Sequence, residues 1–424
     1  MRILIATDAF PPTAGGSGWS TYELARGLRA NGHHIRIVRT YSERDPIPVP
    51  YDGFDVEGFR AFAPPVPFVR NYVRNEQLYG RLGSHLADVA AREKVDLIHA
   101  QHLLTGPSSV VAARRAAIPV VCTVRDYWPV CYWGDVLADP GAGALCPGCS
   151  ASAMTRCLRP RTGLAWPAAL PAIPYMRGNL RRKQEGLANA DAIVAVSSYV
   201  ATALRQRAPE LARVRIEAIP NGVDAAGVRR DADATSRPAP ERYAVFVGKL
   251  ATNKGALMLV DVVSRASLAM PLVVIGDGPE RAQLERAATA AGRDVRVMGW
   301  QDRLEVFRWL RHAELMMFPS VWPEPLSRVL IEASALAVPT AAMNTGGTAD
   351  IIVDEVTGLL SDTPAALAED VGRLATDESL RRRLGDAAAA RAASHFDIRV
   401  VVRRMEALYE DLIAGHRRKH HAIA

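Results

Sequence analysis

Two glutamates, Glu324 and Glu332, stand at i and i+8 in the run Glu324-Pro325-Leu326-Ser327-Arg328-Val329-Leu330-Ile331-Glu332. Proline suits the first turn of a helix, where its missing N–H costs nothing. The run therefore predicts a helix over about 326–337, with Glu324 in the loop before it and Glu332 about two turns in. Eight steps of ~100° bring both carboxylates to nearly one face, about 12 Å apart along the axis. That separation is too wide for an acid/base pair acting on one bond. It spans one sugar nucleotide, with one carboxylate for each sugar ring, and the helix start offers N–H groups to a phosphate.

Other residues suit the same ligand. Gly248 closes an apolar run, and Lys249 and Lys254 follow it, the second before Gly255. Two lysines just past a strand end can hold a diphosphate as it gains charge during bond cleavage. Gly276 and Gly278 end the run Leu272–Ile275 where a nucleotide can approach the backbone; Arg281 stands where a dinucleotide fingerprint would have its third glycine. Gly15 and Gly16 offer a second phosphate cradle near the N-terminus. Asp231 and Asp233 spell a chelating pair by chance, within linker-like composition.

Four cysteines, Cys131, Cys146, Cys149 and Cys157, follow one another as Cys-x14-Cys-x2-Cys-x7-Cys in a Gly/Pro-rich stretch. A structural zinc is the preferred reading, over an Fe–S cluster or free thiols. Cys122 lies inside a strand-like run and reads as a small core residue.

The elements that must position these groups alternate along the chain. Arg2–Ala6, Ile35–Val38, Asp96–Ile98, Pro119–Val124 and Ala192–Val196 are strand-like, with helical spacing between them, as in Tyr22–Arg29. The polar stretch Arg229–Arg242 interrupts this pattern, which restarts at Tyr243–Val247, Leu272–Ile275, Val295–Met298, Leu315–Phe318 and Thr340–Ala342. The alternation predicts an α/β protein with two doubly wound, Rossmann-like domains. The expected boundaries are 1–228, a linker at 229–242, 243–395, and a terminal helix with a basic tail at 396–424. Arg399–Ile413 carries the amphipathic spacing of that helix.

With 424 residues, 49% hydrophobic and 23% charged, the chain has an ordinary globular composition. Its net charge of +7 suits anionic ligands; the basic residues are scattered, and no nucleic-acid signature accompanies them. No run approaches ~18 apolar residues, and Asp8 interrupts the apolar N-terminus, so the expectation is a cytoplasmic chain. The basic stretch Arg177–Lys183, after Trp166 and Ala168–Met176, offers peripheral contact with the inner face of an anionic membrane; a solvated helix face is the plainer reading.

Taken in order, Pro11-Pro12 with Gly15-Gly16, Asp126-Tyr127-Trp128, Ile219–Asp224, Val247–Leu250 with Lys254-Gly255, Val274–Pro279, Pro319-Ser320 and the Glu324/Glu332 pair cover nearly the whole chain. Together they resemble the retaining GT-B glycosyltransferases of family 4, also called group 1. The resemblance implies two Rossmann-like domains facing across a cleft, with the last helix crossing back to the first domain. It implies transfer from a nucleoside-diphosphate sugar to a hydroxyl acceptor (a glycan, a lipid-linked glycan or a small metabolite) with retention and without a catalytic metal. Glu324 would then contact the donor sugar hydroxyls and Glu332 the ribose. Lys249 and Lys254 would hold the diphosphate, Leu326 and Ser327 would offer it backbone N–H groups, and Gly16 would approach it from the N-terminal half. Two positions depart from the family. Arg125 stands where many relatives have histidine before Asp126, and Ser327 where glycine is usual. His102 is a nearby candidate for acceptor contact, against a core or capping role. The competing readings are another sugar-nucleotide enzyme, an epimerase or phosphorylase, and a binding protein without turnover.

Overall fold

A computed structural model describes residues 1–12, 14–43, 45–62, 76–239 and 241–421. Its strands are β1 (Arg2–Thr7), β2 (His34–Tyr41), β3 (Val56–Arg60), β4 (Leu97–Ala100), β5 (Val120–Val124), β6 (Leu137–Asp139), β7 (Ala144–Leu145), β8 (Ala192–Ala195), β9 (Arg215–Ala218), β10 (Ala244–Val247), β11 (Leu272–Ile275), β12 (Val295–Gly299), β13 (Leu315–Phe318), β14 (Thr340–Met343) and β15 (Leu359–Ser361). The chain divides into two units. The first holds Met1–Ala138, Cys146–Gly222 and Ile398–Ala424; the second holds Asp139–Leu145 and Val223–Asp397.

The first unit carries a seven-stranded sheet in the order β3-β2-β1-β4-β5-β8-β9. Ladders such as Ile3↔Ile35 and Ile3↔Leu97 are parallel. Residues Ile3–Ala6 are wholly buried, the unbroken apolar run expected of a strand covered on both faces. Winding proceeds outward from β1 to β3 on one side and from β4 to β9 on the other, so the direction changes between β1 and β4. The second unit repeats the scheme with six strands, β12-β11-β10-β13-β14-β15, and its change of direction lies between β10 and β13. At such a switch point the loops leaving the two strands diverge to opposite faces and leave a crevice for a ligand.

The boundaries differ from the expected ones. The change of unit falls at Gly222/Val223, not at 228. Residues 229–233, expected in a linker, finish the helix Ala225–Asp233. Asp224 starts that helix by accepting the Gly227 N–H at 2.8 Å, a cap that outweighs the linker-like composition downstream. The terminal helix runs over Ile398–His421 and is part of the first unit, where Ile398, Val401, Val402, Met405, Leu408 and Tyr409 enter the core with Ile3, Leu28 and Leu97. Among the described residues, no helix is long and apolar enough to cross a membrane.

Candidate functional site

In the second unit, the segments leaving β10 and β13 at the switch point carry Lys249, Lys254 and Glu324. The loop after β10 is locked to the loop after β11 by backbone pairs: Gly248 N–H to Ile275 at 3.0 Å, Leu250 N–H to Asp277 at 3.0 Å and Glu280 N–H to Leu250 at 3.0 Å. The glycines make this interlock fit. A Cβ on Gly276, whose φ is +139°, would lie 1.9 Å from the Gly248 carbonyl oxygen, and one on Gly278 would lie 2.2 Å from that of Leu250. The close approach at Gly276 and Gly278 is thus to the neighbouring loop, which fixes where the chain presents Lys249. That lysine is exposed, and among the described residues no carboxylate pairs with it.

Lys254 closes a short turn in which Gly255, at φ +68°, lies against the Pro319 carbonyl after β13. Its ammonium donates to Glu324 Oε1 at 2.5 Å and lies 4.9 Å from the centre of the Trp322 ring. The same carboxylate oxygen accepts from the Ser320 hydroxyl at 2.6 Å. Glu324 is only 4% exposed, so its charge depends on this cation and hydroxyl. Behind it passes the loop after β14, where Gly347 N–H donates to the Glu324 carbonyl at 2.6 Å. A Cβ on Gly346 would lie 2.4 Å from the Glu324 backbone nitrogen. Sequence reading missed the part of Gly346 and Gly347, although a Gly-Gly pair just past a strand was a visible signal of close approach.

The helix after Glu324 is shorter than expected and spans Arg328–Ala335, with Ser327 as its extended N-cap. Residues 324–327 are not helical. Pro325 disfavours helical backbone at Glu324, and the packing of the 344–347 loop takes up the Glu324 backbone instead. Glu332 is therefore about one turn in, so the shared-face spacing over eight helical steps does not hold. It is 7% exposed, accepts from Arg328 Nε at 2.8 Å and has Arg303 Nε at 3.7 Å. Leu326 is buried just before the helix, whose first-turn N–H groups point back along the axis toward the Glu324 loop.

In the first unit, a second group of polar residues gathers where β1, β4 and β5 end. Asp8, missed from sequence, accepts from Thr40 Oγ1 at 3.1 Å and from the Leu104 N–H at 3.1 Å. The Asp8 N–H donates to His102 Nδ1 at 3.2 Å, which leaves the proton of a neutral His102 on Nε2. That Nε2 is buried, and among the described residues it meets no acceptor. Burial, with the Arg125 guanidinium adding to it, pushes the His102 pKa down to about 3. His102 is thus a neutral N–H donor and not an acid near neutrality. Arg125 donates to Gln101 and to Asn221 in place of the neutral ring usual in the family. Burial raises the Asp126 carboxyl to about 6, opposed by the Trp128 N–H, which donates to Oδ1 at 2.8 Å, and by the charge of Lys183. Gly16, itself exposed, opens the helix Gly16–Ala30, with Gly15 as its extended N-cap and Gly18 of the same turn buried.

Known proteins match along both units. The model described as Glycosyltransferase Family 4 covers residues 14–226, and that described as Glycosyl transferases group 1 covers 228–391. The chain belongs to the group 1 glycosyltransferases of family 4. It is 28% identical over 419 residues to a D-inositol 3-phosphate glycosyltransferase of Xylanimonas cellulosilytica, covering 91% of this chain and 89% of that one. It is 25% identical over 440 residues to a glycogen synthase of Mycobacterium tuberculosis, covering 98% and 96%. In architecture it resembles the sucrose-phosphate synthase of Thermosynechococcus elongatus, with TM-score 0.72, 22% identity and coverage of 98% and 100%. It also resembles Anabaena HepE in complex with UDP-glucose, with TM-score 0.68, 18% identity and coverage of 97% and 100%. The fold is therefore the two-domain, Rossmann-like GT-B fold.

Within this glycosyltransferase, the basic stretch Arg177–Lys183 lies on the helix Ile173–Leu187 and does not act as one surface. Lys183 is buried at 1% exposure, 5.5 Å from the centre of the Tyr132 ring, while Arg177, Arg181 and Arg182 are exposed. Arg182 pairs with Glu76 at 2.8 Å and Arg181 with Glu185 at 2.7 Å. Helical periodicity turns Lys183 inward, which composition alone does not reveal.

Proposed function

We propose that this glycosyltransferase moves a sugar from a nucleoside-diphosphate sugar to a hydroxyl acceptor with retention of configuration, its donor held at the β10/β13 switch point. The observation that carries the reading is the buried Glu324 carboxylate, held by Lys254 and Ser320 beside the exposed Lys249. Neighbouring folds have been solved with UDP and UDP-glucose, which makes a UDP-sugar the first donor to test.

Each group then has a task. Glu324 accepts hydrogen bonds from the donor sugar hydroxyls, and Glu332 from the ribose. Lys249 and Lys254 neutralise the diphosphate as charge develops on it, the term that weighs most in a leaving-group step. The N–H groups of Leu326 and Ser327 and of the following helix turn complete the diphosphate cradle. In the step itself, the bond from the anomeric carbon to the phosphate oxygen breaks. The acceptor oxygen bonds to that carbon on the same face, and its proton passes to the departing phosphate oxygen. The lysine cations supply the charge that such a departure needs, so the scheme calls for neither a protein nucleophile nor a catalytic metal. Arg125, Asp126 and the His102 N–H are assigned to the acceptor, and contact with an anionic surface to Arg177 and Arg181.

A thermal-shift screen against UDP-, GDP- and ADP-sugars, with Glu332→Ala beside the wild type, tests the donor site. A ligand at about 100 times its Kd stabilises by about 2.7 kcal/mol. One nucleotide class should raise the wild-type Tm, with a smaller rise in the variant. No rise with any of them overturns the donor assignment. Proton NMR of the first-formed product then reads retention directly, and an inverted anomer refutes it.

A further inference from the structure

The four cysteines of the insert after Asp126 are not at metal-ligand spacing: among the described residues, no three His, Cys, Asp or Glu side chains are placed to hold a metal. Cys146 and Cys157 donate instead to the Gly148 and Met154 carbonyls, each at 3.3 Å. Cys122 is a buried core residue of β5. A different set of groups stands out, at the carboxyl ends of β2, β1 and β4. Arg39, near the end of β2, is only 5% exposed, and its Nε is buried. Among the described residues its guanidinium donates no hydrogen bond and pairs with no carboxylate. Asp45 attracts it only through space, its own carboxylate accepting from the Ser42 N–H at 2.7 Å and the Ser42 hydroxyl at 2.6 Å.

The strand register brings two more buried donors beside it. Thr7 of β1 pairs with Arg39, and one step past the Ala6↔Ala100 pair the Gln101 N–H donates to the Ala6 carbonyl at 2.9 Å. Arg39, Thr7 and Gln101 therefore stand side by side on one face of the sheet, the outer two about 10 Å apart. Gln101 is wholly buried, and its amide is oriented by Arg125: a guanidinium only donates, so the Gln101 oxygen faces it. The amide nitrogen is left buried without an acceptor, as is His102 Nε2, whose ring is held by the Thr7 hydroxyl at 3.1 Å and the Asp8 N–H. All three groups can only donate, and one of them carries a charge that burial makes costly without a counter-charge. The ligand that satisfies such a set offers acceptors only and is negative; a carboxylate or phosphate also matches the planar fork of arginine.

We propose that Arg39, the Gln101 amide and the His102 Nε2–H form an anion subsite at the carboxyl end of the first sheet, which takes a carboxylate or phosphate carried by the acceptor. That the anion belongs to the acceptor rests on the proposed transfer reaction, which assigns Arg125, Asp126 and His102 to that substrate. The carboxylate already at this end of the sheet is not a substitute for the ligand: Asp8 is engaged by the Thr40 hydroxyl and the Leu104 N–H. An acceptor without a negative group leaves the Arg39 charge unmatched in its buried position, so the subsite selects against neutral acceptors as well as for anionic ones.

Titration calorimetry of the full chain tests this with inorganic phosphate, acetate, and glucose 6-phosphate beside glucose, at constant ionic strength and with UDP present to occupy the donor loops. The wild type should bind phosphate or acetate, the tighter of the two naming the anion, and should bind glucose 6-phosphate in preference to glucose. Arg39→Met should bind the anion at least about thirtyfold more weakly. Its Tm without anion should be no lower than that of the wild type, since methionine removes an uncompensated buried charge. Arg156→Met, at an exposed arginine of the same unit, should leave anion binding unchanged. Where Arg39→Met does not fold, Arg39→Lys serves: it keeps the charge, loses the planar fork and should still weaken binding. A wild type that binds neither anion, or binding that the Arg39 variants leave intact, overturns the subsite. In turnover with the UDP-sugar, glucose used as well as glucose 6-phosphate and glucuronate, by kcat/KM, overturns the assignment of the anion to the acceptor. Arg39-dependent anion binding in a protein that ignores UDP would sink the donor reading and leave the subsite standing; UDP bound without anion would sink the subsite alone.

Discussion

Asp126 and His102 carry opposite protonation demands. The Asp126 carboxyl is raised from 3.8 to about 6 by burial, so the folded state binds its proton more tightly than the unfolded chain does. Its contribution to stability is therefore full below the unfolded pKa and is lost as pH rises through about 6. A shift of this size corresponds to about 2–3 kcal/mol above that pH. His102 and His99, both depressed to about 3 by burial and the nearby Arg125 guanidinium, act the other way: their contribution is full above the unfolded value and is lost as pH falls. Asp126→Asn keeps the oxygen that accepts the Trp128 N–H and removes the charge. The variant should gain about 2–3 kcal/mol over wild type at neutral pH, with the gain vanishing near pH 4. Urea unfolding of both proteins at several pH values checks this; a gain independent of pH would place the cause elsewhere than in ionisation. The sequence singled out Asp126 and His102, but not that His102 is fixed as an Nε2–H donor. That depends on the Asp8 N–H, ninety-four positions earlier in the chain, which β1 and β4 bring alongside.

At the scale of elements, the inner strands of both large sheets and the edge strand β12 were legible, and the edges β3, β9 and β15 were not. β1, β5, β10 and β11 are buried apolar runs that announce themselves. The edge strand β3, with a glycine and alternating exposure, carries too little pattern, and β9 is similarly half-exposed. The same limit applied at the site. The helix after Glu324 starts at Arg328, two residues later than expected, where Gly346 packs against the Glu324 backbone. Glycine spacing here lets loops interlock. Gly276→Ala would place a methyl 1.9 Å from the Gly248 carbonyl at a φ of +139°. The 248–250 loop must then move, at a cost of about 2–4 kcal/mol to the second unit. Because that loop presents Lys249, donor binding should weaken along with stability. Calorimetry of nucleotide binding well below Tm separates the two effects, and unchanged affinity would show that the loop positions nothing.

For the whole molecule, chain order and structural membership part company at the C-terminus. The helix Ile398–His421 follows the second unit in sequence and packs in the first. Gly27 and Gly222 give it room, since a Cβ on either would lie under 3 Å from Val402 or Ile398. Tyr409 meets the His99 ring through its hydroxyl at 2.5 Å. Six buried apolar side chains at roughly 1.5–3 kcal/mol each, about 9–18 kcal/mol together, match the whole 5–15 kcal/mol that typically separates folded from unfolded domains. A chain ending at Asp397 should therefore lose its first unit, while the second, which contains none of this helix, keeps its core of Phe246, Val274, Leu315 and Leu359. Hydrogen exchange read by mass spectrometry distinguishes the strands: amides of β1 and β4 should exchange at once in the truncated chain, and those of β10 and β13 should stay protected. Protection persisting in β1 would mean that the first sheet closes without its last helix. Exchange throughout would mean that the second unit, and the donor site on it, depends on the first for its stability.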